Sequence, residues 1–198
     1  SKSLSVNSQE ISPQDLSISP DGATLFTVGQ QADTMYQYTL STPWDVSTGS
    51  YASKSFVVSE ATSPTGVFVR VDGERMFVID NASGNDVVYQ YSMSTGWDLS
   101  TASYDSKSYT VTQEASSNGI LFRITGTLMF VLGHGNDTVY QYSLDIPWDL
   151  TTVNYDGVSL SVNSQDALPR GLVFGDNEDK LYTIGQTNKT VFQYGMAA

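Results

Sequence analysis

Short apolar runs broken by turn-forming residues fill this chain, and none has helical periodicity of useful length. The pattern is clearest in residues 66–112. Four runs stand out there: GVFVRV from Gly66, RMFVID from Arg75, DVVYQYSM from Asp86 and KSYTVT from Lys107. β-branched and aromatic residues dominate them, while Asp72-Gly73 and Ala82-Ser83-Gly84-Asn85 supply turns between them. Each run therefore reads as a strand. The first two are nearly continuous apolar stretches, the pattern of strands covered on both faces.

This four-strand unit repeats. An aromatic-Gln-Tyr triplet occurs at Tyr36-Gln37-Tyr38, Tyr89-Gln90-Tyr91, Tyr140-Gln141-Tyr142 and Phe192-Gln193-Tyr194, at spacings of 53, 51 and 52 residues. A second motif follows the first three copies: PWDVSTGSY from Pro43, GWDLSTASY from Gly96 and PWDLTTVNY from Pro147. Four strands per period of about 50 residues is the signature of propeller blades. The last copy stops after its third strand, and the chain opens with SKSLSV, which matches the fourth-strand segments SKSFVV (53–58) and GVSLSV (157–162). The expected fold is all-β, a four-bladed β-propeller whose N-terminal strand completes the last blade and so conceals an open edge. One domain over 1–198 is expected, with blade 1 at about 14–59, blade 2 at about 66–112, blade 3 at about 119–162, and blade 4 at about 171–195 plus 1–6. The alternatives are a linear β-solenoid, two packed sandwiches, or two chains sharing one eight-bladed assembly.

Composition narrows the partners. Twelve Tyr, eight Phe and three Trp supply large surfaces to bury, which argues against disorder. The formal charge is −12 with nine Lys and Arg, so phosphate backbones and anionic lipid surfaces are repelled at long range. Nucleic acid and membrane insertion are not expected; no apolar run approaches the roughly 20 residues that cross a bilayer. With no cysteine, disulfides and thiolate metal sites are excluded. The opening SKSLSVNSQE lacks the apolar stretch of a signal peptide, which leaves export open.

Most recurring residues read as structural. Trp44, Trp97 and Trp148 are expected to cover blade edges, with the following Asp capping a turn. The repeated Gln is expected to bond neighbouring backbone, because an unpaired buried amide is costly. The loops between fourth and first strands differ: each carries a carboxylate, Glu10, Glu60, Glu114 or Asp166. Three of these precede the first apolar residue of the inner strand by six positions, and Glu60 by seven. Loops between second and third strands, on the same face, add Asp33, Asp80, Asn85, Asp86, Asn136, Asp137, Asn188 and the lone His134. Glu10, Glu60, Glu114, Asp166, Asp33, Asp86 and Asp137 are thus the candidate ligand-binding residues. Sugar hydroxyls suit such a face, and Ca²⁺ is the alternative, since it takes oxygen ligands from these side chains. The competing reading is a set of Asx-turns and solvated loop ends. No residue is nominated as catalytic: GHGND around His134 reads as a hairpin turn, and no zinc spacing, phosphate-cradling Gly loop or nucleophile elbow is present. The chain is expected not to be an enzyme, with a glycan-cleaving carboxylate pair as the alternative.

The segment VYQYSLDIPWDLTTVNYD and its sister DVVYQYSMSTGWDLSTASYD resemble a repeat of bacteriophage tail and structural proteins and of marine bacterial proteins. The shared pattern is V-Y-Q-Y-S-L-S-T-P-W-D-[LI]-S-T-A-S-Y, followed by S-F-x-V and P-x-G-[LV]-x-F strands, and it covers essentially the whole chain. Gly96 departs from it, as does the last copy, which lacks a WD link. The resemblance implies a virion or cell-surface location and a platform that binds a glycan or cell-surface protein, as a receptor-binding, adhesin or lectin-like module. A monomer, or a part of a larger virion assembly, is expected; a purely structural virion component is the other role it implies.

Overall fold

Alternation of turn chemistry and β-formers sets the architecture. In the computed structural model, which describes residues 1–82 and 86–196, each of the four runs read in residues 66–112 falls in a strand. The first sheet holds β1 (Pro13–Ile18), β2 (Thr24–Gly29), β3 (Thr34–Leu40) and β4 (Gly49–Val57); the second holds β5 (Pro64–Val69), β6 (Arg75–Asp80), β7 (Asp86–Met93) and β8 (Ala102–Val111). The third holds β9 (Ser117–Phe122), β10 (Leu128–Gly133), β11 (Thr138–Leu144) and β12 (Val153–Ser161), and the fourth β13 (Pro169–Phe174), β14 (Lys180–Gly185) and β15 (Val191–Gly195). Each sheet orders its strands as they follow in the chain, and the pairings described are antiparallel. The fold is all-β, a four-bladed β-propeller, as the repeat predicts.

The blades pack as two compact units: residues 1–82 with 89–107, and residues 86–88 with 108–196. In the first unit, Phe26, Val28 and Met35 of blade 1, none more than 0% exposed, join Val67, Val69, Met76 and Val78 of blade 2 in one core. In the second, Phe130, Leu132 and Val139 of blade 3 meet Leu172, Phe174, Leu181 and Tyr194 of blade 4. Within each unit, one face of the first blade thus packs on the opposite face of the second.

The PWD links behave as the sequence suggests. Asp45, Asp98 and Asp149 cap short 3₁₀ turns, accepting from the backbone N–H of Ser47, Ser100 and Thr151 at 3.0–3.1 Å. The indoles of Trp44, Trp97 and Trp148 lie on Gly22, Gly73 and Gly126, glycines at φ of 71–77° whose missing Cβ leaves the space each ring fills. Of the repeated glutamines, Gln37 accepts the N–H of Leu99 as expected, whereas Gln90 and Gln141 donate to the carboxylates of Asp105 and Asp156.

One expectation is corrected. The fourth sheet has three strands, and residues 1–6 form no strand pairing among the described residues. Leu4 and Val6 instead pack on blade 1, against the cluster of Leu25, Tyr38 and Leu40. Apolar burial places this segment; backbone hydrogen bonding along β15 does not.

Candidate functional site

The carboxylates singled out in the sequence are mostly interior. Glu10, Glu114 and Asp166 are 1%, 3% and 3% exposed. Glu114 shows why: its two oxygens accept from the backbone N–H of Ala115, Ser116, Gly135 and Asn136 at 2.8–3.3 Å, tying its own loop to the β10–β11 hairpin. Asp166 does the same for blade 4, accepting from Leu168, Thr187 and Asn188 at 2.7–3.2 Å. Glu10 accepts from Ser12 at 2.7 Å. Each lies against the glycine that ends the second strand (Gly29, Gly133, Gly185), where a Cβ would collide with the carboxylate.

Glu60 does not belong to this set. It accepts the Tyr91 hydroxyl at 3.0 Å, the place that Gln9 and Gln113 take for Tyr38 and Tyr142 in other blades. Buried Ala61 stands where the others have the acid, and Asp80 stands where they have glycine. Asp80 then caps the loop from the opposite side, accepting from Thr62 and Ser63 at 3.1 and 2.6 Å. The carboxylate has changed strands but kept its job. Burial, then Glu60, pushes the Tyr91 hydroxyl well above the usual phenol range.

The hairpin acids are also built in. Asp33 and Asp137 hold left-handed backbone (φ 46° and 50°), and their carbonyls accept from Val58 and Val162 at 2.8 Å. The Asp33 carboxyl is raised by burial, then by Asp80 and Glu10. The Asp137 carboxylate accepts from Asn163 at 3.0 Å, and Asp86, fully buried, accepts from the backbone of Ser117 at 2.5 Å. Asn85 lies outside the described residues. Among the described residues, no group of three or more acidic or His side chains is placed to hold a metal ion.

Asp15 gives a pH dependence. It occupies the β1 position that is Gly66, Gly119 and Gly171 in the other blades, and accepts from the backbone N–H of Val67 at 2.9 Å. Burial raises its carboxyl to about 6, against the two backbone hydrogen bonds that lower it. The folded state then holds a proton that the unfolded chain has released, so stability falls as pH rises through about 4 to 6. Asp15→Asn is expected to stabilise the protein by about 2 kcal/mol at pH 7.5, a gain that shrinks toward zero near pH 4 in thermal melts.

A different cluster, of which the sequence reading named His134 alone, gathers in the second unit. Asn118 is the second residue of β9, His134 follows β10, Arg170 is in β13 and Gln186 follows β14. The Asn118 amide lies 2.7 Å from His134 Nδ1 and also donates to the carbonyl of Pro169 at 3.1 Å. Arg170 donates to Asn118 Oδ1 and to Gln186 Oε1, both at 3.1 Å, and lies 3.5 Å from His134 Nδ1. Lys2, Lys54, Arg70, Arg75 and Lys180 each pair with a carboxylate. Arg170 pairs with none among the described residues. Three neutral side chains hold it, with Gln186 exposed and His134 half-buried beside it. The Arg170 guanidinium is thus held by an amide, an imidazole and a second amide, in a chain of charge −12.

No protein-family model matches the chain, and no curated protein matches it. Solved structures do. A putative 6-phosphogluconolactonase from Bacteroides uniformis is similar over 100% of this chain and 55% of its own, at 15% identity and a TM-score of 0.65. Another, from Bacteroides fragilis, covers 93% and 51% at 15% identity and a TM-score of 0.62. A chain of a nidogen/laminin complex covers 92% and 59% at 12% identity and a TM-score of 0.55. The chain thus spans about half the length of these structures, and the likeness is one of fold. That fold fits a binding or recognition module. The expectation that the chain is not an enzyme is corrected by the same finding, because putative 6-phosphogluconolactonases stand among the structures that share it.

Proposed function

We propose that this chain is a recognition module for acidic sugars, bound at the Asn118–His134–Arg170–Gln186 cluster. The carrying observation is Arg170: a half-buried arginine, without a carboxylate partner among the described residues, held by Asn118 and Gln186. Its fork suits a carboxylate or phosphate bidentately, while Asn118, Gln186 and His134 supply donors and acceptors for ring hydroxyls. The repeats' resemblance to bacteriophage and marine bacterial proteins supports a virion or cell-surface setting, where acidic glycans are available ligands.

A glycan array carrying neutral and uronic- or sialic-acid sugars tests this directly. Hits confined to the acidic sugars support the proposal, and a blank across them refutes it. A second reading, hydrolysis of a sugar lactone at the same cluster, is favoured by the imidazole beside Arg170 and by the two putative lactonases that share the fold. Acid release from 6-phosphogluconolactone, lost in His134→Ala, would establish it.

A further inference from the structure

Two partners with no choice of role fix the polarity of the Asn118 amide. The Pro169 carbonyl can only accept, and it lies 3.1 Å from Asn118 Nδ2, so that atom is the amide nitrogen. Arg170 Nη1 can only donate, and it lies 3.1 Å from Asn118 Oδ1, so that atom is the oxygen. Independent neighbours thus set the amide the same way round, which a single contact would leave open. Asn118 is 8% exposed, so it has little water to turn to instead.

The histidine beside it then has no choice either. One N–H of Asn118 Nδ2 serves Pro169, and His134 Nδ1 stands 2.7 Å from the same nitrogen. Arg170 Nη1 also faces Nδ1, at 3.5 Å. Both neighbours of Nδ1 are donors, so Nδ1 is an acceptor, and the proton of the neutral ring sits on Nε2. Among the described residues, Nε2 has no protein partner on this half-buried ring. The backbone below it is pinned as well, with the His134 N–H donating to the Ser116 carbonyl at 3.0 Å.

We infer that Asn118 is a positioning residue: it locks His134 in the Nε2–H form, so that the ring adds a hydrogen-bond donor beside the Arg170 guanidinium. This rests on the acidic-sugar reading of the cluster and divides its labour. Arg170 brings the charge and the fork, and His134 brings one directed N–H. Asn118 touches both and need not touch the ligand. A carboxylate oxygen only accepts, so an N–H at Nε2 attracts it where a lone pair would repel it. Fixing the tautomer before the ligand arrives also lowers the ordering cost of binding. The position tolerates such specialisation. Gln30, Asn81, His134 and Gln186 share one backbone place, their N–H groups donating to the carbonyls of Ser12, Ser63, Ser116 and Leu168 at 2.9–3.2 Å. The side chain can therefore change while the blade keeps its hydrogen bond.

The chain has one histidine, which makes nitrogen NMR of the unmutated protein a direct test. Long-range proton–nitrogen correlation should show a proton on Nε2 and none on Nδ1. A scalar coupling should cross the hydrogen bond from Asn118 Nδ2 to His134 Nδ1. Adding glucuronate should shift the Nε2–H signal and slow its exchange with water, leaving that coupling in place. His134→Leu should bind glucuronate about tenfold more weakly, and His134→Gln, which restores an N–H donor, should recover part of the loss. A proton on Nδ1, a mixture of tautomers, or undiminished binding by His134→Leu overturns the inference. The acidic-sugar reading survives that result if the Arg170 Nε–Hε signal still responds to glucuronate. If the Arg170 and His134 signals are both silent, the reading and the inference fall together.

Discussion

Glu114→Ala should lower the melting temperature by roughly 10–15 °C, while Glu60→Ala should lower it by no more than about 4 °C. Both residues are loop glutamates read as equivalent in the sequence, yet their surroundings differ. Removing Glu114 strands four backbone N–H groups of Ala115, Ser116, Gly135 and Asn136 inside a loop that is 3% exposed at the acid. Each unsatisfied buried donor costs about 1–3 kcal/mol, less where the loop relaxes toward water, so a total of about 3–5 kcal/mol is expected. Glu60 accepts two hydroxyls, those of Tyr91 and of its solvent-exposed neighbour Ser59, and their loss is worth about 1 kcal/mol. Circular dichroism melts of the two variants at pH 7 check this. Equal, small losses would mean that the carboxylates do not brace the hairpins.

Arg170→Ala should weaken binding of an acidic sugar by at least about tenfold, from the loss of a charge-assisted pair worth about 1.5–3 kcal/mol. Arg170→Lys should recover only part of that, because an ammonium keeps the charge but not the planar fork. Stability should change little in either variant: the residues Arg170 touches, Asn118, His134 and Gln186, are neutral side chains, and Asn118 keeps its bond to the Pro169 carbonyl. Calorimetric titration with glucuronate separates these outcomes, and Glu10→Gln serves as the comparison expected to bind like the wild type. Undiminished binding by Arg170→Ala would remove the cluster from consideration.

The fold was legible because the repeat writes it four times. Each aromatic-Gln-Tyr triplet and each WD turn sits in one structural role, so spacing alone located the strands. The site was harder to read, since a residue type does not say whether its carboxylate faces solvent or a backbone turn. One clue was present: the seven-residue gap after Glu60, against six elsewhere, marks the blade where Asp80 takes over the cap and Ala61 replaces the acid. The glycines paired with Glu10, Glu114 and Asp166, and the missing glycine opposite Ala61, carried the same information. The polar cluster gave a weaker signal. Gln14, Thr65, Asn118 and Arg170 share one repeat position and differ in every copy, in a frame where neighbouring positions recur. Variation inside a conserved frame of internal repeats is where ligand chemistry can be installed without disturbing the blades. Residues 1–6 resemble a fourth strand in sequence, yet they form no strand pairing among the described residues and are placed by the packing of Leu4 and Val6 on blade 1.

The most direct measurement follows the chain's single histidine. Imidazole resonances of His134 and the side-chain Nε–Hε signal of Arg170 are recorded while glucuronate is added. The account predicts that both shift and saturate together, with the backbone amides around Glu10 and Asp33 unmoved. Shifts confined to the loops of Glu10, Asp33 and Glu60, with His134 and Arg170 silent, would contradict it and return recognition to the acidic loop face.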